Sequence, residues 1–162
     1  RVRSMALVHE KLYQSADLAQ IDFAEYARSL LQYLWRAYGN TAPGVRLATD
    51  LEPVWLDVET AVPCGLMLNE LASNALKHAF RGRAEGEVAV SLRRGVDGQV
   101  CLEVRDNGVG LPPGTDWRQA RSLGLHLIEM LSGQLGATVK VRNGQGTAFQ
   151  IIFGDAAASS HP

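Results

Sequence analysis

The chain has 162 residues, 46% of them hydrophobic and 20% charged, the composition of one globular domain with room for a short attachment. With 16 Lys plus Arg against 17 Asp plus Glu the net charge is −1, which excludes a broadly basic nucleic-acid binder. No stretch is long and apolar enough to span a bilayer, and two cysteines, Cys64 and Cys101, are too few for a disulfide framework and read as reduced core residues of a cytoplasmic protein.

The chain opens Arg1-Val2-Arg3 without an initiator Met, which reads as a piece of a longer protein. Val2, Met5, Val8 and Leu12 recur at spacings of three and four, which predicts a helix over 1–14 that must pack on something. After a connector over 15–21, a second helix is expected over 22–38. Asp22 is its N-cap, Glu25 follows three residues later, and Gly39 closes it. A turn over 39–44 leads to strands over 45–51 and 54–56. A long helix is expected over 57–79, with Pro63 marking where its continuous part starts. Residues 87–94 and 99–105 alternate as strands around the hairpin signal Asp97-Gly98. A Gly/Pro-rich loop over 106–122 precedes a helix over 123–135 capped by Gly136, and a last hairpin joins 137–142 to 147–153. Small residues dominate the tail 155–162. Strand pairs joined by hairpins, with helices between the pairs, predict an α+β two-layer sandwich: a mixed β-sheet with helices on one face. The expected domains are a helical region over 1–38, a compact unit over 39–154 and a disordered tail over 155–162.

Four segments carry candidate chemistry. In the long helix Glu70, Asn74 and His78 are spaced i, i+4, i+8 and share a face, with Lys77 beside them and Leu68, Ala72, Ala75 and Ala79 opposite. Such a stripe either presents ligands or is simply solvated. Asp106-Asn107-Gly108-Val109-Gly110 follows a strand directly; its glycines permit a tight turn close to a flat ligand, and an Asp there can accept from an amine. On its own it is also an ordinary Asx-Gly turn. Ser122-Leu123-Gly124-Leu125 opens a helix whose free N–H groups suit a phosphate, and equally reads as a plain Ser N-cap. Gly146-Thr147 in the last hairpin places a hydroxyl on a strand.

The ordered set of these four segments resembles the Bergerat-fold ATP-binding superfamily, which includes gyrase, a mismatch-repair ATPase, a heat-shock chaperone and the histidine kinases. The resemblance covers about 45–153. Within the superfamily the chain looks like the sensor histidine kinases of the HisKA_2 and HWE-related group. Asn69-Glu70-Leu71 with residues 74–80 looks like that group's N-box, and Ser122-Leu123-Gly124-Leu125 like its second glycine box. Residues 6–13 are similar to the end of its dimerisation and phosphoacceptor region.

The resemblance implies a protein histidine kinase with ATP and Mg²⁺ as ligands. Asn74 would hold the metal and Glu70 would act as general base. Lys77 and His78 would meet phosphate charge. Asp106 would accept the adenine amino group, Gly108 and Gly110 would let the loop close over the base, and Thr147 would add a hydrogen bond near it. Ser122, Leu123, Gly124 and Leu125 would sit by the phosphates. Residues 111–123 would form the lid; it contains Trp117 and Arg118 but no Phe. The resemblance further implies a homodimer through the N-terminal helices and a response regulator as partner, with no nucleic-acid or membrane contact by these residues.

His9-Glu10 looks like an acceptor pair, but no Pro follows a few residues later, and in the resembled group the acceptor lies further upstream. His9 is therefore expected to be a helix-surface residue, and His126 and His161 bystanders. Two other functions on this fold compete: an anti-sigma-type serine protein kinase, which would lack the dimerisation helices, and a non-catalytic ATP-binding regulatory module.

Overall fold

The computed structural model describes residues 20–119 and 122–154. The helix expected over 1–14, His9, and the tail 155–162 with His161 lie outside the described residues. In chain order the elements are β1 (Ile21–Asp22), α1 (Phe23–Tyr38), β2 (Val45–Leu51), β3 (Trp55–Leu56), α2 (Val58–His78), β4 (Gly86–Arg94), β5 (Gln99–Asp106), α3 (Leu123–Leu135), β6 (Thr138–Gly144) and β7 (Gly146–Gly154). Short 3₁₀ turns occupy Gly39–Thr41 and Trp117–Gln119.

The helices start where their caps dictate. Asp22 Oδ1 accepts from Glu25 N–H at 3.2 Å, Asp57 Oδ1 from Thr60 N–H at 2.8 Å, and Ser122 Oγ from Leu125 N–H at 3.2 Å. Each bond satisfies a donor that the first helical turn leaves open. Pro63 does not set the start of α2. It lies inside the helix, which runs unbroken from Val58, because Pro near a helix start removes only one early hydrogen bond. Gly136 closes α3 in the left-handed region, φ 64°. Gly39, by contrast, keeps φ −61° and leads α1 straight into a 3₁₀ turn.

The main sheet has the order β2-β4-β5-β7-β6. Only β2 and β4 run parallel, and the crossover between them carries α2 across one face. The other pairs are antiparallel, so the sheet is mixed, as expected. Val88, Val90 and Leu92 of β4 and Val100, Leu102 and Val104 of β5 turn toward the helices and are buried. Cys64 is fully buried, but Cys101 alternates with Val100 and Leu102 onto the open face and is only half-buried. One of the two expected core cysteines is therefore a sheet-surface residue.

One element escaped the sequence. Ile21 pairs with Leu56 and Asp22 with Trp55, making a two-stranded sheet apart from the main one. It fixes the entry of α1, whose Phe23, Leu30, Leu31 and Leu34 are wholly inaccessible. Burial of each such side chain is worth about 1.5–3 kcal/mol. These residues join those of α2 and the sheet in one hydrophobic core. The motif boundary at residue 38 thus falls within a continuous packing unit.

Candidate nucleotide site

A cleft of about 310 Å³ lies between α2, the end of β5, the start of α3 and the β6–β7 hairpin. At one end stands Asp106, half-buried. Its Oδ1 accepts from Gly108 N–H at 2.9 Å and Thr147 N–H at 3.4 Å. Oδ2 makes no hydrogen bond among the described residues, so the cleft wall carries a fixed carboxylate with one free acceptor. Burial pushes its carboxyl above the usual range, against the opposing pull of the two N–H bonds and Arg83. Such a carboxylate gains by meeting a donor such as an exocyclic amine.

Asn74 and His78 line the same cleft from α2, as do Leu71, Ala75 and Ala79. Ala75 and Ala79 pack with the core, as expected, and also form part of the cleft floor. Arg81 Nη2 lies 2.8 Å from His78 Nδ1. A guanidinium only donates, so Nδ1 accepts and the ring is neutral with its proton on Nε2. Burial and the charges of Arg81 and Lys77 hold its pKa below the ordinary value, in agreement. His78 thus offers a neutral N–H to the cleft.

The start of α3 closes the opposite wall. Ser122, Gly124 and Leu125 line the cleft, as do Gly110 and Thr147. A Cβ on Gly124 would stand 2.8 Å from Glu70 Oε2 and 3.2 Å from Asn74 Nδ2, so only glycine brings the helix end this near α2. Glu70 is itself 7% exposed and lies beneath Gly124 rather than on the cleft wall.

Three more expected residues stand off the cleft wall. Lys77 turns its Nζ over the Tyr38 ring, 4.6 Å from the centroid, and lines a separate groove with Arg81 and Arg83. Leu123 is 71% exposed and lines no part of the cleft. Gly108 serves the loop's attachment: a Cβ there would collide with the Ala79 carbonyl, which accepts from Val109 N–H at 2.7 Å.

Residues 60–156 match the family model for the histidine kinase-, DNA gyrase B- and HSP90-like ATPases. The chain belongs to this ATPase family. Residues 1–38 match a second model, the histidine kinase region HisKA_2. The blue-light-activated histidine kinase 2 of Erythrobacter litoralis is 37% identical over 151 residues, covering 86% of this chain and 42% of that protein. The sensor histidine kinase PdtaS of Mycobacterium tuberculosis is 29% identical over 155 residues, covering 94% of this chain and 30% of that protein. The chain therefore spans less than half the length of either relative. Among solved structures, the histidine kinase domain of an Erythrobacter litoralis blue-light-activated kinase superposes with a TM-score of 0.88 at 27% identity, over 98% of this chain and 76% of that one.

In this ATPase domain the sequence motifs supplied most of the cleft wall but not its supports. Asn107 Oδ1 accepts from Glu87 N–H at 2.8 Å, and Arg83 Nη1 donates to the Asn107 carbonyl at 2.9 Å. Together they tie the Asp-Gly loop to β4 and to the end of α2. Asn143 holds Leu111 by two hydrogen bonds of 2.9 and 2.8 Å. Trp117 of the lid is buried and meets Phe149, a cleft residue, edge-on at 6.0 Å. It gives the described part of the segment expected to form a lid an apolar anchor without a Phe. Asn107 stood inside the Asp-Gly segment and Trp117 in the loop after it, but no local signal marked either of them, or Arg83 and Asn143, as a support.

Proposed function

We propose that this domain binds Mg·ATP in the cleft and transfers the γ-phosphoryl group to a histidine, as the catalytic part of a sensor histidine kinase. The observation that supports this best is the convergence on one cleft of Asn74, His78, Asp106, Gly110, Ser122, Gly124, Leu125 and Thr147, drawn from four separate chain segments. The HisKA_2 match over 1–38 favours histidine over serine as the acceptor.

In this reading Asp106 Oδ2 accepts from the adenine amino group while Gly110 and Thr147 flank the base. The α3 N-terminus with Ser122, Gly124 and Leu125 offers N–H groups to the phosphates. His78 donates its Nε2 proton to a phosphate oxygen. Asn74, whose side chain reaches the start of α3, would hold Mg²⁺ through its amide oxygen, a hard ligand that suits the ion, and Glu70 lies one turn away. The ion supplies charge neutralisation on the transferring group. Glu70, covered by Gly124 in the free domain, would take the proton of an incoming imidazole once the start of α3 shifts off it. The imidazole nitrogen bonds to the γ-phosphorus as the bond to the bridging oxygen breaks, and ADP leaves with that electron pair. Lys77 stays with Tyr38, outside this chemistry.

The acceptor in this proposal is a histidine preceding residue 1 in a longer protein, which dimerises through its N-terminal helices and hands the phosphoryl group to a cytoplasmic response regulator. Among the described residues no helix is long and apolar enough to cross a membrane. Isothermal titration with Mg·ATP tests the site, and its failure refutes the nucleotide reading. Incubation with γ-labelled ATP tests the acceptor: acid-labile, base-stable label that vanishes in His9→Ala would place the acceptor at His9 instead.

A further inference from the structure

Asn143 is the next-to-last residue of β6 and pairs across the hairpin with Thr147. Its side chain leaves that ladder and reaches Leu111. Leu111 N–H donates to Asn143 Oδ1 at 2.9 Å, and Asn143 Nδ2 donates to the Leu111 carbonyl at 2.8 Å. One carboxamide thus meets both backbone groups of one residue, as a neighbouring strand would.

The residue so held sits at a critical point. Leu111 and the preceding Gly110 both line the cleft. Gly110 has φ +75°, and a Cβ there would lie 2.8 Å from Asn143 Oδ1. On the other side Thr147 N–H donates to Asp106 Oδ1 at 3.4 Å. Asp106, Thr147, Asn143 and Leu111 therefore form one connected series around the end of the cleft that holds the carboxylate. Asn143 itself lines no part of the cleft.

We propose that Asn143 is a positioning residue: it fixes Gly110 and Leu111, where the lid leaves the Asp-Gly loop, so that the base end of the cleft is formed before the nucleotide arrives. The inference rests on the nucleotide reading of the cleft. Its physical content is preorganisation. With the clamp in place the loop is ordered in the free protein; without it, binding has to order the loop and affinity falls accordingly. Because the clamp acts at the base end, the loss is the same for ADP and ATP.

The test uses the full chain, with Asn143→Ala and Asn143→Asp beside the parent. Calorimetry with Mg·ADP and Mg·ATP gives affinity, trypsin cleavage after Arg118 without nucleotide gives lid exposure, and a thermal melt gives folding. The expected result for Asn143→Ala is a Kd about tenfold higher for both nucleotides, from the loss of two neutral hydrogen bonds. Arg118 is cleaved faster and the cooperative melt is kept. Asn143→Asp retains an acceptor for Leu111 N–H but turns a second acceptor on the Leu111 carbonyl, so it does no better than Ala. A lower melting temperature with Kd and cleavage unchanged would mark a merely structural role and overturn the proposal. So would a loss for ATP several times that for ADP. If the parent binds neither nucleotide, the nucleotide reading falls and this inference falls with it.

Discussion

Asp106→Asn separates the site from the fold. The substitution keeps Oδ1, and with it the bonds from Gly108 and Thr147 at 2.9 and 3.4 Å. It replaces Oδ2 by an NH₂ group that points donors at a donor, the adenine amine. Losing a hydrogen bond to a charged acceptor costs about 1.5–3 kcal/mol, or about 10- to 150-fold in Kd. Stability moves the other way. Burial raises the carboxyl's pKa in the folded chain, so the folded state holds the proton more tightly than the unfolded state. That contribution is present at low pH and lost as pH rises through the folded value. At neutral pH the ionised group is therefore a burden on the fold, which an uncharged amide removes. The expected outcome is weaker Mg·ATP binding by calorimetry with a melting temperature equal to the parent's or higher. The parent's affinity should also decline on acidification at a pH above the ordinary Asp range of about 4, a limb absent from the variant. A Kd within threefold of the parent, or a binding loss matched by a fall in melting temperature, would refute the reasoning.

Gly124→Ala should weaken Mg·ATP binding by calorimetry and cost about 1–3 kcal/mol of stability by chemical denaturation, because the new methyl meets the buried Glu70 Oε2 at 2.8 Å and must push it or Asn74 aside. Trp117→Ala removes the edge contact with Phe149 at 6.0 Å; with aromatic pairs worth about 0.5–1.5 kcal/mol, calorimetry should show a few-fold higher Kd in a chain that still folds. Gly146→Ala forces a side chain onto φ +94° and into the Asp106 carbonyl, so its thermal transition should fall well below that of Gly114→Ala, which strains a similar φ of +77° but meets nothing within 4 Å. A chain beginning at residue 21 should unfold cooperatively, whereas one beginning at residue 39 should show no near-ultraviolet dichroism. It lacks four fully buried α1 side chains, Phe23, Leu30, Leu31 and Leu34, each worth about 1.5–3 kcal/mol against a total stability of about 5–15 kcal/mol.

What the sequence showed and what it hid follow from the range of each signal. Helical periods, caps and the Asp97-Gly98 turn are local, and their elements form within a few residues of expectation. The pairing of β1 with β3 was hidden because two residues cannot show alternation. The candidate helix stripe was legible as a stripe but not in its aim. At about 100° per residue, taken from Asn74, His78 lies at about +40°, Leu71 at +60°, Ala75 at +100° and Ala79 at +140°. These are the positions of α2 and its C-cap that line the cleft. Glu70 and Lys77 fall on the other side, at about −40° and −60°, so Glu70 is covered by Gly124 and Lys77 turns to Tyr38. Spacing places residues on a face; only the packed neighbours decide which edge of that face is open. The same limit hid Asn143, whose side chain acts on a residue 32 positions away. It also made residue 38 look like a boundary. Family motifs change there, but the hydrophobic core of α1 and α2 does not stop. A motif boundary records which chemistry a segment serves, whereas a folding boundary records where few contacts cross. In this chain α1 lies on one side of the motif boundary and packs with the other, so a unit cut by motif alone would lose part of the core that holds α2, and with it Asn74 and His78, in place.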